Sequence, residues 1–274
     1  MTPPEYVLAR SVLLDALAAL GPHRDAAVLV GAQAVYWHSG DADFATAPTT
    51  TDADLVLAPE RLADEPLVAV AMGEAGFVRG NQPGMWLGRG GIAVDLMVPA
   101  ALSGSGGRRG ARLGVHGNRV ARRTRGLEPA LLDNRVEVVG SLDDRDSRSF
   151  PIRVAGPAAL VVSKMIKISE RRDQPGRLKP KDGLDIIRLL RVVDTARLAN
   201  ALGELMSNDL TRGVVRSALD TLRACGTTPD EVLPMLAAAA EQGFEDADVI
   251  KMSTVALVED LLRQIDVVCS FQHG

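Results

Sequence analysis

The stretches AAVLVGAQA (residues 26–34) and TTTDADLVLA (residues 49–58) decide how the rest of this chain is read. Residues 26–30 are short, apolar and followed at once by Gly31, the pattern of a buried strand. Residues 32–38 read as a short helix, so Gly31-Ala32-Gln33 is a strand-to-helix turn whose backbone N–H groups can hold phosphate. Residues 52–58 read as a second strand. Its acids, Asp52 and Asp54, share a face because successive strand side chains alternate sides. Two neighbouring carboxylates repel, and each raises the other's pKa unless a cation lies between them. Leu55, Val56 and Leu57 mark the strand as central, which makes the pair costly without such a cation. Oxygen-only ligands at a strand end suit Mg²⁺. Taken alone, the pair also fits a solvent-facing edge.

Outward from this centre, residues 4–20 read as a helix with proline at its start, stopped by Gly21-Pro22. Pro59 opens a third helix expected to run to about Ala75, closed by Gly76. Residues 84–88 and 92–98 read as strands of a hairpin joined by Arg89-Gly90-Gly91. The second of them carries Asp95 inside an otherwise apolar run, where an unpaired carboxylate is costly. A third carboxylate beside the other two would complete a site for two metals or supply a base. Trp86, on the facing strand, reads as core. The stretch Gly104-Ser-Gly-Gly marks a mobile loop, and residues 136–139 and 152–155 are weaker strands. After Gly156-Pro157 the pattern turns helical, at 157–171, at 181–191 and in several helices from Asp194 to about Ser270. The expectation is an α+β domain over 1–155 and a helical domain over 156–274.

The chain has 274 residues, 46% of them apolar and 24% charged, which excludes a disordered chain. Its longest apolar run, residues 232–240, falls far short of the ~20 residues of a membrane span. No basic leader opens the sequence, and two cysteines in a chain of this length suit a reducing compartment, so the reading is a soluble cytoplasmic protein. Residues 192–274 carry a balance of −7 against +3 for residues 1–191. No acid occurs between Asp95 and Glu128, a gap that holds Arg108, Arg109, Arg112, Arg119, Arg122, Arg123 and Arg125. Such a stretch is an electrostatic footprint for phosphates, or a solvated loop in a protein with 26 Arg against 5 Lys. The sequence pI near 5.6 argues against strong nonspecific nucleic-acid binding by the whole chain. Four histidines and two separated cysteines give no zinc constellation.

A glycine turn, a D-x-D strand about twenty residues on and a lone acid on a hairpin strand together resemble the nucleotidyltransferase fold of the DNA polymerase β superfamily. More narrowly, the chain is similar to AbiEii-type and MenT-type nucleotidyltransferase toxins. Their G-G-x-A…R-x-T-x-D-x-D pattern matches at Gly31, Ala34, Thr50, Asp52 and Asp54. Their helical K…R…[KR]-D-x-x-D block matches at Lys164, Arg171, Lys181, Asp182 and Asp185. The resemblance covers about residues 25–191. It departs at Ala32, where the family carries a second Gly or Ser, and in residues 39–48, which lack the family's arginine.

The resemblance implies a mixed sheet with flanking helices, followed by a helical C-terminal domain that completes the nucleotide site. It implies Mg²⁺-dependent transfer of a nucleoside monophosphate from an NTP to an acceptor hydroxyl. Asp52, Asp54 and Asp95 would bind a two-metal centre and, with Lys164 and Asp185, form the catalytic set. Gly31, Ala32, Gln33, Thr51, Lys164 and Lys167 would contact the nucleotide. Lys164 and Lys167 share a helical face, as do Asp182 and Asp185. Lys164 would meet the β- or γ-phosphate and Asp185 would orient it; Asp182, which also matches the block, can be read simply as a first-turn acid favoured by the helix dipole. Arg108, Arg109, Arg112, Arg122 and Arg123 would follow an RNA backbone. The expected partners are tRNA 3′ ends and a cognate antitoxin, in a toxin–antitoxin or phage-defence pair. The alternatives are a non-catalytic nucleotide- or RNA-binding protein of the same fold, or a transferase acting on a protein or an antibiotic.

Overall fold

A computed structural model describes residues 3–40, 50–104 and 109–271. The chain divides into two compact units, Met1–Ala34 with Ala47–Ala155, and Val35–Thr46 with Gly156–Gly274.

The first unit opens with α1 (Pro4–Leu20), begun by a proline whose missing N–H costs nothing at that position. Its strands are β1 (Ala27–Val30), β2 (Asp52–Leu57), β3 (Val78–Arg79), β4 (Met85–Leu87), β5 (Ala93–Pro99), β6 (Arg122–Thr124), β7 (Asn134–Gly140) and β8 (Ser149–Ala155). They form one mixed sheet in the order β3-β4-β5-β2-β1-β8-β7, with β6 also paired to β5. Strand β1 is buried throughout and runs antiparallel to β2 and parallel to β8. Strands β2 and β5 are parallel. Helix α1 packs over β2, β5 and β8, burying Leu13, Leu14 and Leu17. The hairpin expected at Arg89–Gly91 forms between β4 and β5, and Trp86 is core, its indole N–H donating to the Val120 carbonyl at 3.0 Å.

Three elements differ from their sequence reading. The helix expected from Pro59 is a single turn, Pro59–Arg61, and α3 (Val68–Glu74) starts only beyond Pro66. Proline inside a helix removes a donor and clashes with the preceding turn, which breaks the pattern there. The arginine-rich segment is partly sheet: β6 lies beside β5, and Ala111, Leu113, Val120 and Ala121 are buried. Its loop reading, Gly104-Ser-Gly-Gly, falls outside the described residues beyond Gly104. Strand β8 also starts earlier than expected. Pro151 sits within it where β8 pairs only with β7, so its absent N–H breaks no bond to β1.

Helix α2 (Gly31–Ser39) begins in the first unit, and its residues from Val35 onward belong to the second. The second unit continues with α4 (Pro157–Arg171), α5 (Pro180–Val192), α6 (Thr195–Ser207), α7 (Arg212–Gly226), α8 (Val232–Ala240) and α9 (Ala247–Phe271). Both α4 and α5 begin on proline, and the Asp194 side chain caps α6 by accepting from the Arg197 N–H at 2.8 Å. The unit is knit by α4 against α5 and α7, α5 against α8, and α6 and α8 against α9. Cys225 and Cys269 form no disulfide. Among the described residues no helix is long and apolar enough to cross a membrane.

Candidate active site

The register of the sheet brings the acids together. Asp54 and Asp95 are Cα partners on the parallel strands β2 and β5, and in-register residues of neighbouring strands project to one face. Asp52, two residues before Asp54, lies on that face opposite Ala93. The intervening Ala53 and Val94 are buried on the other side.

Gly31 closes this group from β1. It has φ +68, and a Cβ built there would fall 2.1 Å from Asp54 Oδ2. Only glycine permits that approach of turn to carboxylate. Gln33, read as a nucleotide contact, is buried and binds within the protein: its amide donates to the Asp52 carbonyl at 3.1 Å and accepts from Arg10 Nε at 2.9 Å. The Arg10 guanidinium continues to the Tyr6 hydroxyl and the Gly140 carbonyl. Ala32 is buried in the same turn, whereas Thr51 is exposed. The neighbouring Thr50 is the residue that fixes the site, its hydroxyl donating to Asp52 Oδ1 at 2.5 Å.

Asp95 is held differently. Arg122 Nη2 donates to Asp95 Oδ2 at 2.9 Å, both side chains being half-buried. Arg122 is the β6 partner of Met97, two residues past Asp95, so the same pleat that aligns the acids delivers the guanidinium. Sequence reasoning gave Arg122 to RNA and missed this contact, whose partners lie 27 residues apart. Among the described residues no three His, Cys, Asp or Glu side chains are grouped so as to hold a metal ion. The donor set suits Mg²⁺ through Asp52 and Asp54, since that ion takes one or two carboxylates and fills its shell with water and phosphate oxygens. Asp95 is engaged by Arg122 and would have to exchange that contact to join such a set. Of the other arginines assigned to RNA, Arg109, Arg112 and Arg123 are exposed, and Arg108 lies outside the described residues.

The helical motif block forms its own cluster in the second unit. Lys164 Nζ lies 2.5 Å from Asp185 Oδ2 and 3.0 Å from Asp182 Oδ1, and Arg171 reaches Asp182 Oδ2 at 3.0 Å. All three members of the Lys164–Asp182–Asp185 group are buried. Burial alone would push the Lys164 ammonium down, but the two carboxylates outweigh it and hold the lysine above its ordinary range. Burial likewise works to raise Asp182, and Lys164, Lys167 and Arg171 together bring it below the usual carboxylate value. Asp182, read as a first-turn acid, is therefore a full member of the cluster. One turn further along α5, Arg188 is 1% exposed and stacks 5.3 Å from the Tyr36 ring centroid. Lys181 lies 5.9 Å from the same ring.

A family model described as nucleotidyltransferase matches residues 10–210, a span that includes both motif blocks. No curated protein and no solved structure matches the chain.

Proposed function

Because the chain belongs to this nucleotidyltransferase family, we propose that it moves a nucleoside monophosphate from an NTP to an acceptor hydroxyl. The observation that carries the reading is the in-register pairing of Asp54 with Asp95, with Gly31 against the Asp54 carboxylate. Asp52 and Asp54 would hold Mg²⁺, which supplies positive charge to the phosphate oxygens; a second ion would need Asp95. Backbone N–H groups of the Gly31 turn would hold the donor phosphates. Thr50 would fix the Asp52 carboxylate through its hydroxyl. Asp95, released from Arg122, would take the proton of the acceptor hydroxyl. The acceptor oxygen then forms a bond to the α-phosphorus as the bond to the β-phosphate oxygen breaks and pyrophosphate leaves. Lys164 and Asp185 would serve the reaction by fixing α4 to α5.

The acceptor best suited to the exposed arginines is RNA, read through its phosphates. The family resemblance supports a tRNA 3′ end, with the protein acting in the cytoplasm as the toxin of a toxin–antitoxin or phage-defence pair. A second reading, a nucleotide-binding protein without turnover, draws on the neutralisation of Asp95 by Arg122. NTPs labelled at the α-phosphate, supplied one base at a time with Mg²⁺, total RNA or protein extract, separate the two. Label should pass to RNA with the natural chain and not with Asp52→Asn. Label on protein would retain the chemistry and discard the RNA acceptor; NTP binding without any transfer would favour the second reading.

A further inference from the structure

The first unit holds a second polar site, where β4 and β6 begin along one edge of β5 and away from the Gly31 turn. A depression of about 430 Å³ lies between the turn Asn81-Gln82-Pro83, which leads into β4, and the segment that leads into β6. That volume falls within the usual range for a small-molecule site. Its walls are tied by backbone hydrogen bonds, Gly84 N–H to the Arg119 carbonyl at 3.0 Å and Arg123 N–H to the Arg109 carbonyl at 2.9 Å. Gly110 forms the closest seam: a Cβ there would fall 2.0 Å from the Asn118 carbonyl oxygen. The site is thus shaped by the fold and not by chance side-chain positions.

Its chemistry is selective. Arg109 and Arg119 line it, and among the described residues no carboxylate does. Neither makes an ion pair among the described residues, whereas Arg145 sits on Asp143, Arg148 on Asp146 and Asp15, and Arg212 on Asp209. Two guanidinium forks without acids match phosphate oxygens. Asn81, Gln82 and Asn118 add amides, each offering a donor and an acceptor, which is what the edge of a nucleobase requires.

Position supplies the role. The turn runs into Met85, the Cα partner of Asp95, and Arg119 stands three residues before Arg122, which holds Asp95. On the other side of β5 lie β2 and then β1, which carries the Gly31 turn. In strand order, the depression and the Gly31 turn therefore lie on opposite sides of the β2–β5 pair that carries the acids. We infer that this depression seats a nucleotide unit of the acceptor, with Arg109 and Arg119 on its phosphate and the three amides on its base. The inference rests on the transferase reading above for its role, and on the lining alone for its ligand.

Binding tests it directly. Fluorescent single-stranded RNA and, separately, adenosine 5′-monophosphate are titrated into the full chain, the double variant Arg109→Gln/Arg119→Gln and Asn118→Ala, at one fixed salt concentration. The double variant should lose about tenfold or more in affinity for RNA with NTP affinity unchanged. Asn118→Ala should alter the order of preference among homopolymers. Loss of RNA alone identifies a polymer as the source of the nucleotide; equal loss of the mononucleotide identifies the free unit. Unchanged binding, parallel loss of NTP binding, or no binding of either probe by the natural chain would overturn the assignment. The substituted residues are exposed, and an unaltered melting curve guards against misfolding. Failure of label transfer with this binding intact would remove the transferase reading and leave the site, and the converse would remove the site alone.

Discussion

At the scale of single residues, Gly31 is a position where one atom decides the site. Gly31→Ala places a methyl within 2.1 Å of Asp54 Oδ2 and strains a backbone at φ +68. Strain of this kind costs about 1–3 kcal/mol. The expected outcome is a modest drop in urea midpoint with a much larger loss of metal binding and transfer; unchanged Mn²⁺ affinity would show that the turn does not position Asp54. Arg122 is the opposite case, a residue whose removal should strengthen binding. Arg122→Gln takes one cationic partner from Asp95 beside Asp54, so Mn²⁺ followed by electron paramagnetic resonance should bind more tightly than to the natural chain, and Arg122→Lys should behave like the parent. Gly31, Asp52 and Asp54 were legible because strand and turn chemistry is local. Arg122 on Asp95 was not, because the contact exists only once β6 lies beside β5.

Among the elements, α4 and α5 are joined by a buried charge cluster as well as by apolar side chains. Removing one partner of such a cluster strands a charge, at a cost of about 3–5 kcal/mol. Lys164→Met, which leaves Asp185 and Asp182 without their ammonium, should show that loss in equilibrium unfolding of the helices. The pH dependence follows from the directions of the shifts. Asp182 is held below its ordinary value of 3.8, so its contribution is complete above that value and disappears as pH falls through the folded one. Lys164 is held above its ordinary 10.5, so its contribution persists through the neutral range and is lost only beyond that in base. The natural chain should therefore lose stability on acidification below about pH 4, and Asp182→Asn should lose less over the same window. The spacing of Asp182 and Asp185 announced a shared helical face; that both turn inward onto one lysine follows from how α5 packs on α4.

Over the whole molecule, charge and burial are distributed unevenly. The C-terminal segment carries −7, while exposed Arg109, Arg119 and Arg123 cluster in the first unit. If these three meet RNA phosphates, the logarithm of the binding constant should fall against that of salt concentration with a slope of about −2; a slope near zero would remove phosphate contact from the account. Cys225 reports on the other unit, being 4% exposed in α7, where burial pushes its thiol up. In a Cys269→Ser background it should resist thiol reagents until the helices open. The sequence by itself determined the alternation of strand, turn and strand, the helical character after Gly156, and the identity of the acids, because each depends on neighbours within a few residues. Tertiary structure alone decided that Asp95 stands level with Asp54, that Arg122 binds it, that Gln33 is consumed inside the fold, and that Arg109 and Arg119, with no ion pair among the described residues, line an amide-bearing depression. Those facts depend on strand register and on backbone ties between distant segments, which no local pattern encodes.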